Sequence, residues 1–275
     1  MGIPLVLIQI SSVVSVFVTQ KSHRLKTGID RHATGSHISQ PKTPAKATVN
    51  GNGLTNETEA EYSSNWSGAV LTAPPSGTIF TSVSAQITVP SPVPVNGQAG
   101  AASAWVGIDG DIYQNAILQT GIDFRVDSNN AVSYSAWYEW YPDYAYDFSS
   151  INISTGDVIS LSVVSSDSSS GTATIKNLSN GQMVSRSLFA PNSSATLSGQ
   201  NTEWIVEDFS EDGAFVPFAN FGTVKFTSAA AGVSDGYTIG TSGSVLINII
   251  DPSGRVLASA STPSDSEITV QSHNS

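Results

Sequence analysis

From Glu61 to the C-terminus, apolar and polar residues alternate in short runs broken by turn-forming clusters. A period of two belongs to strands, whose side chains point alternately to opposite faces. The pattern predicts strands near 65–71, 82–89, 103–108, 115–125, 131–141, 157–165, 171–177, 183–188, 202–208, 222–228 and 244–250. PPSG, SPVPVNG, DSNN, SSDSSSG, LSNGQ and DPSG punctuate them. No segment keeps a 3.6-residue period long enough for a substantial helix. The prediction is an all-β fold, an antiparallel sandwich curved enough to leave one concave face as a cleft.

The first 60 residues break this pattern. Residues 1–18, MGIPLVLIQISSVVSVFV, carry no charge and are followed by Lys21, His23 and Arg24. They read as a secretory signal over 1–19, the alternative being a single membrane anchor. Residues 20–60 are polar, basic and without apolar periodicity, which predicts a propeptide or linker ahead of a catalytic domain at 61–275.

Charge follows the same division. In residues 1–60, Lys21, Arg24, Lys26, Arg31, Lys42 and Lys46 outnumber Asp30, Glu57 and Glu59, whereas the whole chain carries −11. The domain is therefore strongly acidic, which disfavours nucleic acid and anionic membrane surfaces as partners. A basic leader facing an acidic domain suits a segment that covers a carboxylate-lined cleft until acid neutralises the pairing. The chain has no cysteine, so disulfides and a thiolate nucleophile are excluded. His23, His32 and His37 lie in the leader and His273 lies near the C-terminus. With the leader removed, a Ser–His–Asp triad or a His-ligated zinc has no histidine within the domain, and no metal or cofactor is expected. Sequons occur at Asn56, Asn65, Asn152, Asn177 and Asn192; Asn65 is expected to be packed and unused.

The remaining polar chemistry is interleaved with tryptophan. Strand alternation puts Trp137, Glu139 and Tyr141 on one face, with Tyr138 and Trp140 on the other. Gln119 shares a face with Ile117, Gly121 and Asp123; Glu203, Ile205, Glu207 and Phe209 share another, opposite Trp204. A carboxyl group among large apolar side chains has a raised pKa and suits proton transfer in mild acid. A side-chain amide holds water and donates N–H to an oxyanion. A single strand Glu is more commonly rim or salt-bridge material, and spacing alone does not say which strands are neighbours.

Six segments carry a resemblance: SNWSGAV (64–70), SAWVGIDG (103–110), AILQTGID (116–123), AWYEWYP (136–142), EWIVEDF (203–209) and VPFANFGTVKFT (216–227). In this order they resemble the glutamic peptidases, or eqolisins, pepstatin-insensitive acid endopeptidases. The resemblance implies two large bent antiparallel sheets, a concanavalin-like jelly roll, with substrate in the concave cleft. It implies a catalytic pair at Gln119 and Glu207, with Glu203 the rival for the second role. It places Trp66, Trp105, Asp109, Trp137, Glu139, Tyr141 and Phe209 around the cleft. It further implies a secreted, monomeric zymogen acting on protein and peptide substrates in acid, with its own propeptide as inhibitor. This chain departs from the family in lacking disulfides and in a longer DSNN loop. Two other readings of the residues remain: a glycoside hydrolase using Glu139 and Glu207, and a carbohydrate-binding sandwich without catalysis. Paired pepsin-type Asp-Thr/Ser-Gly signatures are absent.

Overall fold

A computed structural model describes residues 37–46 and 60–275. The expected signal at 1–19 and most of the expected propeptide at 20–60 therefore lie outside the described residues. In chain order the strands are β1 (His37–Ile38), β2 (Glu61–Ser63), β3 (Trp66–Leu71), β4 (Phe80–Thr88), β5 (Gly100–Ile108), β6 (Ile117–Val126) and β7 (Val132–Tyr141). There follow β8 (Tyr146–Asp147), β9 (Val158–Asp167), β10 (Ser170–Asn177), β11 (Met183–Phe189), β12 (Thr202–Glu207), β13 (Ser210–Glu211) and β14 (Ala214–Phe215). The last are β15 (Thr223–Val233), β16 (Thr238–Ile239), β17 (Val245–Ile250), β18 (Val256–Ser264) and β19 (Glu267–Ser272). The described residues contain no helix.

All eleven expected strands are present. β18 and β19 were not expected, because their inward positions include small Ala258 and Ala260, alternating with serines that give little apolar contrast. The main ladder runs β11-β10-β9-β4-β15-β19-β18-β17-β3-β12-β5-β6-β7-β8, and it folds back on itself so that β4, β9 and β10 pack across β5, β6 and β12. This gives the all-β antiparallel sandwich. Its interior holds Phe80, Leu118, Phe124, Trp140, Trp204 and Phe226 in one apolar cluster. Trp204 and Trp140 thus lie on the core side, as alternation requires.

The opposite face of β7-β6-β5-β12-β3 carries a second, smaller cluster of Trp66, Val70, Trp105, Ile117, Trp137, Ile205 and Ile247, with Tyr141 against it. Register explains its composition. One row across the sheet reads Glu203–Gly107–Gln119–Glu139, the next Ile205–Trp105–Gly121–Trp137, and the next Glu207–Ser103–Asp123–Ser135. Polar rows thus flank an aromatic row. Gly107 and Gly121 make the room: a Cβ on Gly121 would stand 2.5 Å from Trp105 Cβ, and one on Gly107 2.9 Å from Trp105 Cζ3 and 3.3 Å from Gln119 Cβ.

Two sequons are closed off by the fold. Asn65 and Asn177 are fully buried, and their side chains hold Thr43 N–H and the Asn152 carbonyl, so neither can carry a glycan; Asn152 and Asn192 are exposed. Asn56 lies outside the described residues. His273 is tied to the sheet surface, its Nε2 2.8 Å from Ser259 Oγ.

Candidate active site

Gln119, Glu139 and Glu207 are fully buried on the concave face. Gln119 Nε2 donates to Glu139 Oε2 at 3.1 Å, which fixes the amide orientation. Gln119 Oε1 and Glu139 Oε1 find no partner among the described residues. Trp105 Nε1 donates to Glu207 Oε2 at 2.9 Å, and Trp137 Nε1 to Ser103 Oγ at 3.1 Å. Trp105 packs edge-on against Trp66, ring centroids 5.0 Å apart.

Residues 37–46 run through this cleft. β1 adds antiparallel to β13, pairing His37 with Glu211 and Ile38 with Ser210. Ser39 N–H donates to Glu139 Oε2 (3.3 Å), and Gln40 N–H to Glu207 Oε1 (3.0 Å). Trp66 Nε1 donates to the Gln40 carbonyl at 2.9 Å, and Asn65 Nδ2 to the Pro41 carbonyl at 3.2 Å. Lys42 N–H meets the Gly110 carbonyl, and the Lys42 ammonium pairs with Asp111 and Glu61. His37 fills a pocket formed by Phe209 (4.1 Å between centroids) and Trp137 (5.1 Å, edge-on), with Nδ1 3.3 Å from Asp123 Oδ2. Arg125 supports Asp123 and bridges it to Glu211.

Burial and charge set the protonation states. Glu207 is pushed up to about 7 by burial, against the lowering effects of the His37 charge, the Gln40 N–H, Ser39 and Trp105. Burial, then the neighbouring Glu207 charge, raises Glu139 well above the carboxylate range, so it is neutral in acid. Burial disfavours the charged forms of His37 and Asp123. Their mutual attraction outweighs this, holding His37 up and Asp123 down.

Tyr141 lies half-buried at the edge of the aromatic cluster, and Phe209 is fully buried behind His37. Asp109 faces elsewhere: at φ +66° it turns its carboxylate to accept N–H bonds from Ser198, Gly199, Gln200 and Asn201. Glu203 is buried with Asn201 Nδ2 on its Oε2, and burial followed by the Asp109 charge holds its pKa well above the usual value. Of the two rivals, Glu207 touches the bound segment. Asn65, Asp111 and Asp123 also hold that segment. Only a pairing map reveals the first two, whereas Asp123 was already on the face of Gln119. No cluster capable of holding a metal occurs among the described residues.

A bent all-β sandwich with acidic and amide side chains beneath a bound peptide segment defines a peptide hydrolase of the glutamic type, and comparison with known proteins agrees. The Peptidase A4 family matches residues 64–272, and the chain belongs to that family. It is 44% identical over 256 residues to aspergillopepsin-2 of Aspergillus niger, covering 86% of this chain and 87% of that protein. With scytalidopepsin B of Scytalidium lignicola the identity is 45% over 202 residues, 71% of this chain and 73% of that one. The crystal structure of scytalido-glutamic peptidase with a transition state analog inhibitor superposes with a TM-score of 0.67 at 40% identity, covering 76% of this chain and 98% of the other. Aspergilloglutamic peptidase from Aspergillus niger gives 0.59 at 49% identity, covering 63% and 99%. These relationships displace the glycoside hydrolase and lectin readings.

Proposed function

We propose that this peptidase is exported, and that in acid it cleaves protein and peptide substrates with Gln119 and Glu207 after its leader is removed. The observation that carries the reading is the pair of consecutive backbone N–H groups, Ser39 and Gln40, held by Glu139 and Glu207 in an extended segment. A peptide substrate offers the same groups. The leader holds the cleft shut: His37, Gln40 and Lys42 engage Asp123, Glu207 and Asp111, all by charge or hydrogen bonding.

In the open enzyme, water takes the leader's place at Glu207: it relieves the burial that raises the carboxyl and stands in for the Gln40 N–H, Ser39 and His37 that lower it, while the Trp105 N–H stays and favours the carboxylate. Glu207 takes a proton from a water attacking the scissile carbonyl. The Gln119 amide, oriented by Glu139, donates to the oxygen as it gains negative charge. Protonated Glu207 then delivers the proton to the leaving nitrogen. Glu139 is a positioning residue, since its oxygen aims the amide. Trp66, Trp105, Trp137, Tyr141 and Phe209 shape the cleft walls. No metal or cofactor takes part. The enzyme acts as a monomer and does not stay on a membrane after processing.

The test is hydrolysis of a denatured protein across pH 2–7, with and without pepstatin. Acid-confined, pepstatin-resistant cleavage that is lost in Glu207→Gln is expected. Normal turnover by Glu207→Gln would refute the assignment.

A further inference from the structure

The segment in the cleft does more than block it: one of its peptide bonds lies across the reacting groups. Gln40 N–H is 3.0 Å from Glu207 Oε1. Ser39 N–H is 3.3 Å from Glu139 Oε2, the same oxygen that takes Gln119 Nε2 at 3.1 Å. The Ser39 carbonyl carbon lies between those two nitrogens and is about 1.33 Å from Gln40 N. The Ser39–Gln40 bond therefore has Glu207 on its nitrogen side, and its acyl residue is held by the same Glu139 oxygen that orients the Gln119 amide. Both flanks are clamped. Upstream, β1 is added to β13, and Ala145 N–H donates to the His37 carbonyl at 3.2 Å. Downstream, Trp66 and Asn65 hold the Gln40 and Pro41 carbonyls, and Gly110 holds Lys42 N–H.

We propose that Ser39–Gln40 is the first bond this enzyme cuts, in cis, in its own chain. The inference rests on the Gln119/Glu207 reading and adds the bond, the register and the molecularity. In the step, water oxygen bonds to the Ser39 carbonyl carbon, and the carbon–nitrogen bond to Gln40 breaks. One water proton passes through Glu207 to the Gln40 nitrogen. The products are a Ser39 carboxyl terminus and a Gln40 amino terminus, with no other reactant. Tethering in register removes the bimolecular search, so the cut precedes any cleavage between molecules. The cut separates His37 and its aromatic pocket from Lys42 and its two carboxylates, so each half of the leader leaves on its own weaker contacts.

The experiment uses the chain purified with its leader. It is shifted from neutral to acid pH, quenched at intervals, and read by intact mass and N-terminal labelling, with a denatured protein substrate assayed in the same preparation. The expected result is that a new N-terminus at Gln40 appears before any other. Its rate constant should be unchanged over a hundredfold range of protein concentration and slower by roughly 10²–10³ in Gln119→Ala. Gln40→Pro, which removes the N–H facing Glu207, should abolish this cut while leaving cleavage of added substrate once the leader is removed by another protease. A first cut elsewhere with Ser39–Gln40 intact, or a rate proportional to concentration, overturns the inference while leaving the peptidase reading standing. Failure to cleave both the leader and the added substrate overturns that reading, and the inference with it.

Discussion

Trp105→Phe isolates one hydrogen bond at Glu207, the carboxyl proposed to move the proton. The indole N–H donates 2.9 Å to Glu207 Oε2, and it is one of the groups holding the Glu207 pKa down against burial. Phenylalanine keeps a ring edge-on to Trp66 and lacks the donor. A hydrogen bond to a charged group contributes about 1.5–3 kcal/mol, and one pKa unit corresponds to about 1.4 kcal/mol. Removing the donor disfavours the carboxylate, so the Glu207 pKa rises by about 1–2 units. The assay is kcat/KM against pH for leader-free enzyme on a fluorogenic peptide. The limb that follows Glu207 ionisation should move to higher pH by that amount, and at the acidic end the rate should fall about tenfold or more. Circular dichroism and thermal unfolding separate this from loss of fold. A limb that stays in place, or moves to lower pH, in a folded variant would refute the role given to Glu207 and to its indole donor.

Four further outcomes are expected. Gly107→Ala puts a methyl against both Trp105 and Gln119, so kcat should fall by about tenfold or more with the fold retained; unchanged kcat would show that the cleft floor adapts. Asp109→Ala leaves four loop N–H groups without their acceptor and should destabilise by about 2–4 kcal/mol in denaturant unfolding at pH 5, with cleavage chemistry intact. Glu139, Glu203, Glu207 (about 7) and Asp208 (about 8) all have raised folded pKa values, burial being the largest cause of each. Between pH 5 and 8 the native state therefore holds more protons than the unfolded chain, so stability falls as pH rises. Glu203→Gln should flatten that slope by up to about 1.4 kcal/mol per pH unit, measured by unfolding at each pH. Finally, the His37–Asp123 attraction is present below the raised His37 pKa and lost as pH falls through the lowered Asp123 pKa. Asp123→Asn should thus open the leader at higher pH than wild type, followed by the cleft's accessibility to a labelled peptide inhibitor.

Much of the fold was legible because period two is a local property. The face assignments of Trp137, Glu139, Trp140 and Trp204 needed only strand alternation. Pairing order is not local: β12 lies between β3 and β5, more than 90 residues away in the chain, and nothing in TEWIVEDF announces that. For the same reason alternation left Glu203 and Glu207 equivalent, and the bound segment separates them. The leader's basic character was visible, but His37 was set aside with the leader rather than read as a partner for Asp123. Asn65 looked like a spare sequon, whereas its amide grips Pro41 and Thr43. Asp109 has the composition of a cleft residue, but its left-handed backbone turns it to the 198–201 loop.

The division of the indoles between two faces gives the molecule its own optical readout. Trp140 and Trp204 sit in the interior of the sandwich, on the other side of the sheet from the cleft. Trp66 and Trp137 touch residues 37–46, Trp66 by donating its N–H to Gln40 and Trp137 edge-on to His37. When the segment departs, these two emitters meet water while Trp140 and Trp204 stay dry. Intrinsic fluorescence should then shift to the red in proportion to the fraction of molecules opened, so departure of the segment can be timed without a label or a substrate.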